Sequence, residues 1–110
     1  MYCPAAAGEG RDDFRTAFDA AVSERVRNLV EVLHRRVVVV GDLNIARDVL
    51  DSAPAKEYMK NSGLEDFKDT PTRQILDKLL KPHPTGIMAD LCREYFPDRL
   101  GMYTCEYSPL

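Results

Sequence analysis

The sequence predicts an α/β fold in which two helices pack against a mixed β-sheet. Apolar residues recur at three- and four-residue spacing from Phe14 to Leu33, as on one face of a helix. Four consecutive valines, Val37 to Val40, then form a β-branched run without alternation, which is typical of a strand covered on both faces. Later, Thr70-Pro71 combines a capping residue with a proline suited to a first helical turn. A chain of 110 residues with 45% hydrophobic residues can bury one modest core.

The first half of the chain is expected to hold a short strand, a long helix and a central strand. Met1 to Pro4 favours the first strand, and the small residues that follow form a loop. Asp12 or Asp13 can cap the helix, which ends near the cations His34-Arg35-Arg36. The side chains expected to face the sheet are Phe14, Phe18, Ala21, Val22, Leu29, Val30 and Leu33, whereas Arg15 is assigned to the solvent face.

The second half is predicted to be more irregular. Residues 45–69 contain turn formers and lysines, so we expect an excursion across a surface. The second helix then starts at Thr70, carries Ile75, Leu76, Leu79 and Leu80 inward and stops before Pro82. Residues 86–95 fit a strand or a helix, and residues 101–107 favour a strand. Because neither end shows a closing pattern, residues 1–110 are interpreted as one incomplete domain.

Composition and charge limit the classes of function. A formal net charge of -3 argues against binding nucleic acid through bulk positive potential, so DNA contact would need a local patch or a bound cation. No apolar run is long enough to cross a bilayer and no secretion signal is present, which predicts an intracellular protein without a membrane partner. Cys3, Cys92 and Cys105 are widely spaced, and we expect free thiols rather than a disulfide or zinc site.

The strongest chemical signal is Gly41-Asp42-Leu43-Asn44. Asp42 and Asn44 leave the predicted central strand two residues apart, so both can point into a crevice at the edge of the sheet. The alternative is plain turn chemistry, because Gly, Asp and Asn all favour turns.

This segment resembles the G-D-x-N signature of the endonuclease/exonuclease/phosphatase superfamily. Further segments resemble motifs of its exonuclease III-like abasic-site endonucleases, in the family's order. They are Tyr2-Cys3-Pro4 (Y-x-P), Arg11 with Phe14 and Phe18, Thr70-Pro71-Thr72-Arg73 (T-P-x-R), Ala89-Asp90 with Tyr95-Phe96-Pro97, and Tyr103-Thr104-Cys105 (Y-T-[FC]). The cysteine in the last motif suggests the second eukaryotic branch of the family.

The resemblance implies a nuclear DNA-repair enzyme of base excision repair. Such enzymes use Mg²⁺, with Mn²⁺ as an alternative, to hydrolyse DNA phosphodiesters at abasic sites and at blocked 3′ ends. By residue match, Asp42 would orient or deprotonate the attacking water, Asn44 would help hold the phosphate, and Tyr2 would donate its hydroxyl near the phosphate. Asp42 and Asn44 are also the metal candidates. The alternative for Tyr2 is an aromatic side chain packed at a strand edge.

Several departures from the family pattern suggest only the central portion of its two-sheet α/β sandwich. Leu91 replaces an expected serine and Glu106 an expected tryptophan. The family's metal-binding glutamate and its S-D-H segment have no counterpart. His34 and His83 are interpreted as a helix-end cation and a loop residue rather than as the missing histidine. We therefore expect little or no cleavage from the isolated chain.

Contacts to abasic DNA are assigned to basic residues of the irregular region and the helix starts. The candidates are Arg11, Lys56, Lys60 and Arg73, although a solvated surface explains them equally well. Two other functions stay open. One is a noncatalytic fragment that binds a partner or self-associates through exposed sheet surface, and the other is a different phosphodiesterase of the same superfamily.

Overall fold

A computed structural model describes residues 1–5 and 11–104 of the chain. The elements are helical: α1 is Arg11–Arg27, α2 is Ala55–Ser62, α3 is Pro71–Leu79 and α4 is Leu91–Tyr95. A π-helical turn, Asn28–Val32, extends α1, and a 3-10 turn covers Val49–Asp51. Within the described ranges the β-structure is limited to two isolated bridges, which join Tyr2 to Asp42 and Leu80 to Met88.

The predicted α/β fold, and with it the two-sheet sandwich, is wrong for this chain. Val37 to Val40 do not form a central strand, and Val38 and Val40 are 77% and 70% exposed. A strand needs neighbours on its edges to satisfy its amides and carbonyls. The described part of the chain offers only residues 1–3 as such a neighbour. A β-branched composition favours a strand, but pairing and burial depend on partners that the composition does not supply.

Helix α1 is confirmed, although the face that it buries differs from the predicted one. Asp12 and Asp13 lie in its first turn, where their charge complements the helix dipole. Phe14 is 60% exposed and belongs to the open face. Arg15 is only 2% exposed and Val26 only 5%, so both belong to the buried face. An arginine can be buried there because its charge and its donors find partners.

Helix α3 begins as the sequence predicts. The Oγ1 of Thr70 accepts a hydrogen bond from the amide of Arg73 at 3.4 Å, and Pro71 occupies the first turn. Leu79 and Leu80, at the end of the helix, are each 8% exposed. Helices α1 and α3 pack together, so they form the central contact of the fold.

The region 45–69 is less irregular than predicted, because it contains helix α2. Ala55 at the start of α2 and Phe67 beyond its end are each 2% exposed. The Tyr58 ring meets the Phe67 ring edge to face, with the centroids 5.9 Å apart. The Arg73 guanidinium lies 3.8 Å from the Phe67 ring centroid. A small aromatic cluster thus holds the excursion against α3.

The ambiguous segment 86–95 resolves into a bridge residue, Met88, followed by the short helix α4. The carboxylate of Asp90 caps α4 by accepting from the amide of Arg93 at 3.2 Å. The Arg93 side chain reaches Asp51 at 2.6 Å, which ties α4 to the 3-10 turn. Residues 101–104 do not form the predicted strand, and the rest of that prediction lies outside the described residues.

Candidate functional site

The candidate site lies where the valine segment, Val37 to Val40, ends and the chain turns at Gly41. This glycine has φ of 137°, a backbone conformation that L side chains rarely adopt. A Cβ atom placed on it would lie 1.8 Å from the carbonyl oxygen of Met1. Only glycine therefore allows the first residues of the chain to approach this loop so closely.

Two hydrogen bonds hold the first residues beside this loop. The amino terminus of Met1 donates to the carbonyl of Val40 at 2.8 Å, and the amide of Cys3 donates to the carbonyl of Asp42 at 2.8 Å. Tyr2 and Asp42 are consequently paired side by side in a parallel bridge. Paired residues of adjacent extended segments project to the same face. Tyr2 is 68% exposed and Asp42 is exposed as well, so a ligand can reach this face.

Asn44 completes the group. Its amide donates to Oδ1 of Asp42 at 2.9 Å, which makes the local turn that Asp residues favour. Its side-chain Nδ2 donates to the carbonyl of Cys3 at 2.7 Å. Asn44 adopts φ of 48°, in the left-handed region that asparagine tolerates better than most residues. The structure thus brings Tyr2, Asp42 and Asn44 to one corner, while their chemical roles stay predictions.

Arg15 organises this corner, and the sequence analysis missed it. From α1 its guanidinium donates to the carbonyl of Pro4 at 2.6 Å and to that of Leu43 at 2.5 Å. A longer bond of 3.4 Å reaches the carbonyl of Asn44. Its Nε is paired with Asp19 at 2.7 Å. The signal that could have revealed Arg15 is its i, i+4 spacing to Asp19, which lets the two charges compensate each other in a buried setting.

The donor set at this corner does not by itself fit a magnesium site. Mg²⁺ prefers several oxygen ligands in octahedral geometry, with carboxylates among them. Here Asp42 supplies one carboxylate and Asn44 one side-chain oxygen, Oδ1, because the Asn44 hydrogen bond to Cys3 uses Nδ2 as the donor. Two residues provide fewer oxygen ligands than an octahedral ion needs. In the part of the chain that the structure describes, no group of three or more His, Cys, Asp or Glu side chains could hold a metal ion.

The four candidate DNA contacts fall into two groups. Arg11, Lys56 and Lys60 are exposed, and the two lysines lie one turn apart on α2. Arg73 is engaged within the protein instead. Its Nε donates to the carbonyl of Ala46 at 2.9 Å, in addition to the stacking on Phe67. DNA contact by these residues stays a prediction, and Arg73 already has a structural use.

Cys3 and Cys92, two of the three predicted free thiols, are unpaired, and the third lies outside the described residues. Burial raises the pKa of the Cys3 thiol and outweighs the opposite effect of the nearby Arg15 charge. Cys3 is 3% exposed, next to Tyr2 in sequence, so it serves the corner as a packed apolar side chain. No helix within the described ranges is long and apolar enough to cross a membrane.

Two curated proteins are similar to this chain. A protein of Schizosaccharomyces pombe named DNA-(apurinic or apyrimidinic site) endonuclease 2 is 35% identical over 105 residues, which cover 96% of this chain and 20% of that protein. The Saccharomyces cerevisiae protein of the same name is 30% identical over 132 residues, covering 94% of this chain and 25% of that protein. No family model matches the chain, and no solved structure does either.

The resemblance to abasic-site endonucleases is confirmed: the chain is a sequence relative of these enzymes along nearly its whole length. More particularly, both similar proteins carry the name endonuclease 2, in agreement with the second branch that Tyr103-Thr104-Cys105 suggests. The chain spans only about a fifth to a quarter of their length.

Proposed function

We propose that this chain supplies the phosphate-gripping corner of an abasic-site endonuclease of type 2. In that proposal the protein hydrolyses DNA phosphodiesters at abasic sites and trims blocked 3′ ends during DNA repair in the nucleus. The names of the two relatives support DNA repair and endonuclease action. The observation that carries the proposal is the juxtaposition of Tyr2, Asp42 and Asn44 by the bridge and by Arg15.

The chemistry of the corner suits the assigned roles. Phosphodiester hydrolysis needs a base for the attacking water and donors for the charge that grows on the phosphate oxygens. Asp42 offers an exposed carboxylate whose second oxygen, Oδ2, makes no hydrogen bond or ion pair with the described residues. Tyr2 offers a hydroxyl on the same face. Magnesium dependence belongs to the proposal, with ligands beyond Asp42 and Asn44, and no step is assigned to the ion.

A nuclease assay on an oligonucleotide with a tetrahydrofuran abasic analogue tests the proposal in the longer protein that contains this segment. Asp42→Ala is expected to lower kcat by about 10²- to 10⁴-fold, the usual contribution of a general base. Asp98→Ala is the matched control, because Asp98 is exposed and makes no hydrogen bond or ion pair with the described residues. Equal cleavage by the Asp42→Ala form and the unmodified protein would contradict the proposal. The isolated chain is expected to cleave little or not at all.

A second candidate function is noncatalytic partner binding. The observation that favours it is the exposure of Val38 and Val40, since adjacent exposed apolar side chains mark interaction surfaces more often than chance would suggest.

A further inference from the structure

The loop of residues 43–46, which leaves the candidate site, is held by guanidinium groups from two helices. Arg15 of α1 donates to the carbonyls of its first two residues, at 2.5 and 3.4 Å. Arg73 of α3 donates from Nε to the carbonyl of its last residue, Ala46, at 2.9 Å. The beginning and the end of the loop are therefore fixed separately, each by a cation that belongs to a different helix.

Arg73 is itself anchored on the side away from the loop. Its Nη1 donates to the carbonyl of Phe67 at 3.1 Å, and its guanidinium lies 3.8 Å from the centroid of the Phe67 ring. The Tyr58 ring centroid is 5.0 Å from the same group. A planar guanidinium that bonds two carbonyls and stacks on aromatic rings has little freedom to rotate. Arg73 thus sets the position of the Ala46 carbonyl rather than following it.

Between the two anchors lies Asn44, in a conformation that needs support. Its φ of 48° is in the left-handed region, which a residue other than glycine keeps only where its surroundings hold it there. In this conformation its amide donates to Oδ1 of Asp42, and its side chain donates to the carbonyl of Cys3. If the end of the loop were released, Asn44 would relax toward the more populated regions of φ and ψ. Asp42 would then lose the hydrogen bond that orients its carboxylate.

We propose that Arg73 is a positioning residue of the nuclease site, because it holds the end of the loop whose strained residue orients Asp42. The inference rests on the proposed function, and it gives Arg73 a role other than the DNA contact predicted for it. In this role Arg73 acts through Asn44 and does not touch the substrate. Loss of the guanidinium should therefore lower kcat and leave KM nearly unchanged.

Steady-state kinetics on the tetrahydrofuran oligonucleotide, in the longer protein that contains this segment, tests the inference. Circular dichroism and urea denaturation give the folded fraction of each variant. Arg73→Lys keeps the charge, but a lysine ammonium has no planar group that can both bond two carbonyls and stack on Phe67. We expect this variant to lower kcat per folded molecule by about 10- to 100-fold, since a displacement of about 1 Å can cost about 10²-fold in rate. KM should stay within about twofold.

Arg73→Met should lower kcat at least as much, and Arg73→Lys keeps the test decisive if the methionine variant does not fold. Lys78→Met is the matched control. Lys78 is an exposed cation on the same helix, and its side chain makes no hydrogen bond or ion pair with the described residues. Its replacement removes one positive charge from α3 and should leave kcat within about twofold.

A phosphate contact by Arg73 would give a different pattern. Arg73→Lys would then keep most of the activity, and Arg73→Met would raise KM and reduce the slope of log KM against log salt by about 1. That pattern would overturn the inference. So would a kcat per folded molecule within about twofold of the unmodified value for Arg73→Lys, because Arg73 would then serve stability alone.

Asp42→Ala in the same assay separates failure of the inference from failure of the proposed function. If Asp42→Ala cleaves normally, the proposed function fails and the role of Arg73 fails with it. If Asp42→Ala is inactive while both Arg73 variants cleave normally, the role of Arg73 alone is refuted.

Discussion

Replacing Arg15 with methionine should destabilise the fold more than replacing any exposed charge on α1. Methionine keeps much of the apolar stem but removes the guanidinium, which makes three short polar contacts, to Asp19, Pro4 and Leu43. Hydrogen bonds to a charged group contribute about 1.5–3 kcal/mol each, and their losses do not simply add. Removing one partner of a buried ion pair costs about 3–5 kcal/mol.

The Arg15–Asp19 pair is such a buried ion pair, since the two side chains are 3% and 10% exposed. We therefore expect the Arg15→Met variant to lose about 3–5 kcal/mol of unfolding free energy. If the chain has less stability than this, the variant should be unfolded in buffer. Replacing Asp19 with leucine in the same protein should recover part of the loss, because it removes the stranded carboxylate.

Urea denaturation followed by far-ultraviolet circular dichroism measures the effect, as the chain has no tryptophan to report by fluorescence. Arg11→Met on the same helix is the control, with an expected change within about 0.5 kcal/mol because Arg11 is exposed. A loss below about 1 kcal/mol for Arg15→Met would refute the reasoning. It would mean that water replaces the guanidinium without cost, and that the corner does not depend on α1.

Two further predictions concern the same corner. Gly41→Ala should cost clearly more stability than Gly63→Ala in the same urea assay. Gly63 lies at φ of 66°, in the left-handed region, where alanine costs about 1–2 kcal/mol of backbone strain. Gly41 lies at φ of 137°, outside that region, and there, unlike at Gly63, the new Cβ meets backbone. Equal losses would show that Met1 does not lie against the loop. In a chain carrying Cys105→Ser, iodoacetamide at mildly alkaline pH should modify the exposed Cys92 much faster than Cys3. Burial shields Cys3 and raises the pKa of its thiol, so less thiolate is present; modification of Cys3 at the rate of Cys92 would mean that residues 1–5 are not docked.

Local signals in the sequence predicted the starts of α1 and α3. Thr70-Pro71 marks the start of α3 because both residue types act on the backbone next to them, through a cap and a fixed φ. The acidic pair Asp12 and Asp13 marks the first turn of α1 for the same reason. Helix α2 was missed because it is only eight residues long and its pattern is broken by polar residues.

Long-range partners could not be predicted in the same way. Four valines favour extended backbone by themselves, whereas their burial depends on segments elsewhere in the chain. Arg15 was assigned to solvent because a charged residue is rarely buried without partners. Its partners are the backbone carbonyls of Pro4 and Leu43, 11 and 28 residues away. Since every residue has a backbone carbonyl, the sequence does not indicate which ones will accept a hydrogen bond from Arg15. The spacing at the end of the valine run suggested that Asp42 and Asn44 lie together, whereas the addition of Tyr2 was anticipated only through the family resemblance.

The corner depends on the docking of residues 1–5, so its arrangement can be lost while the helical fold remains. These residues are attached through the bridge, the amide of Asn44 and the guanidinium of Arg15, and they belong to no helix. Such a segment can detach by local opening while the contact between α1 and α3 remains intact. Detachment would move Tyr2 away from the corner and leave the turn of Asp42 and Asn44 intact. Heat or mild denaturant should therefore separate Tyr2 from Asp42 and Asn44 before the helices melt.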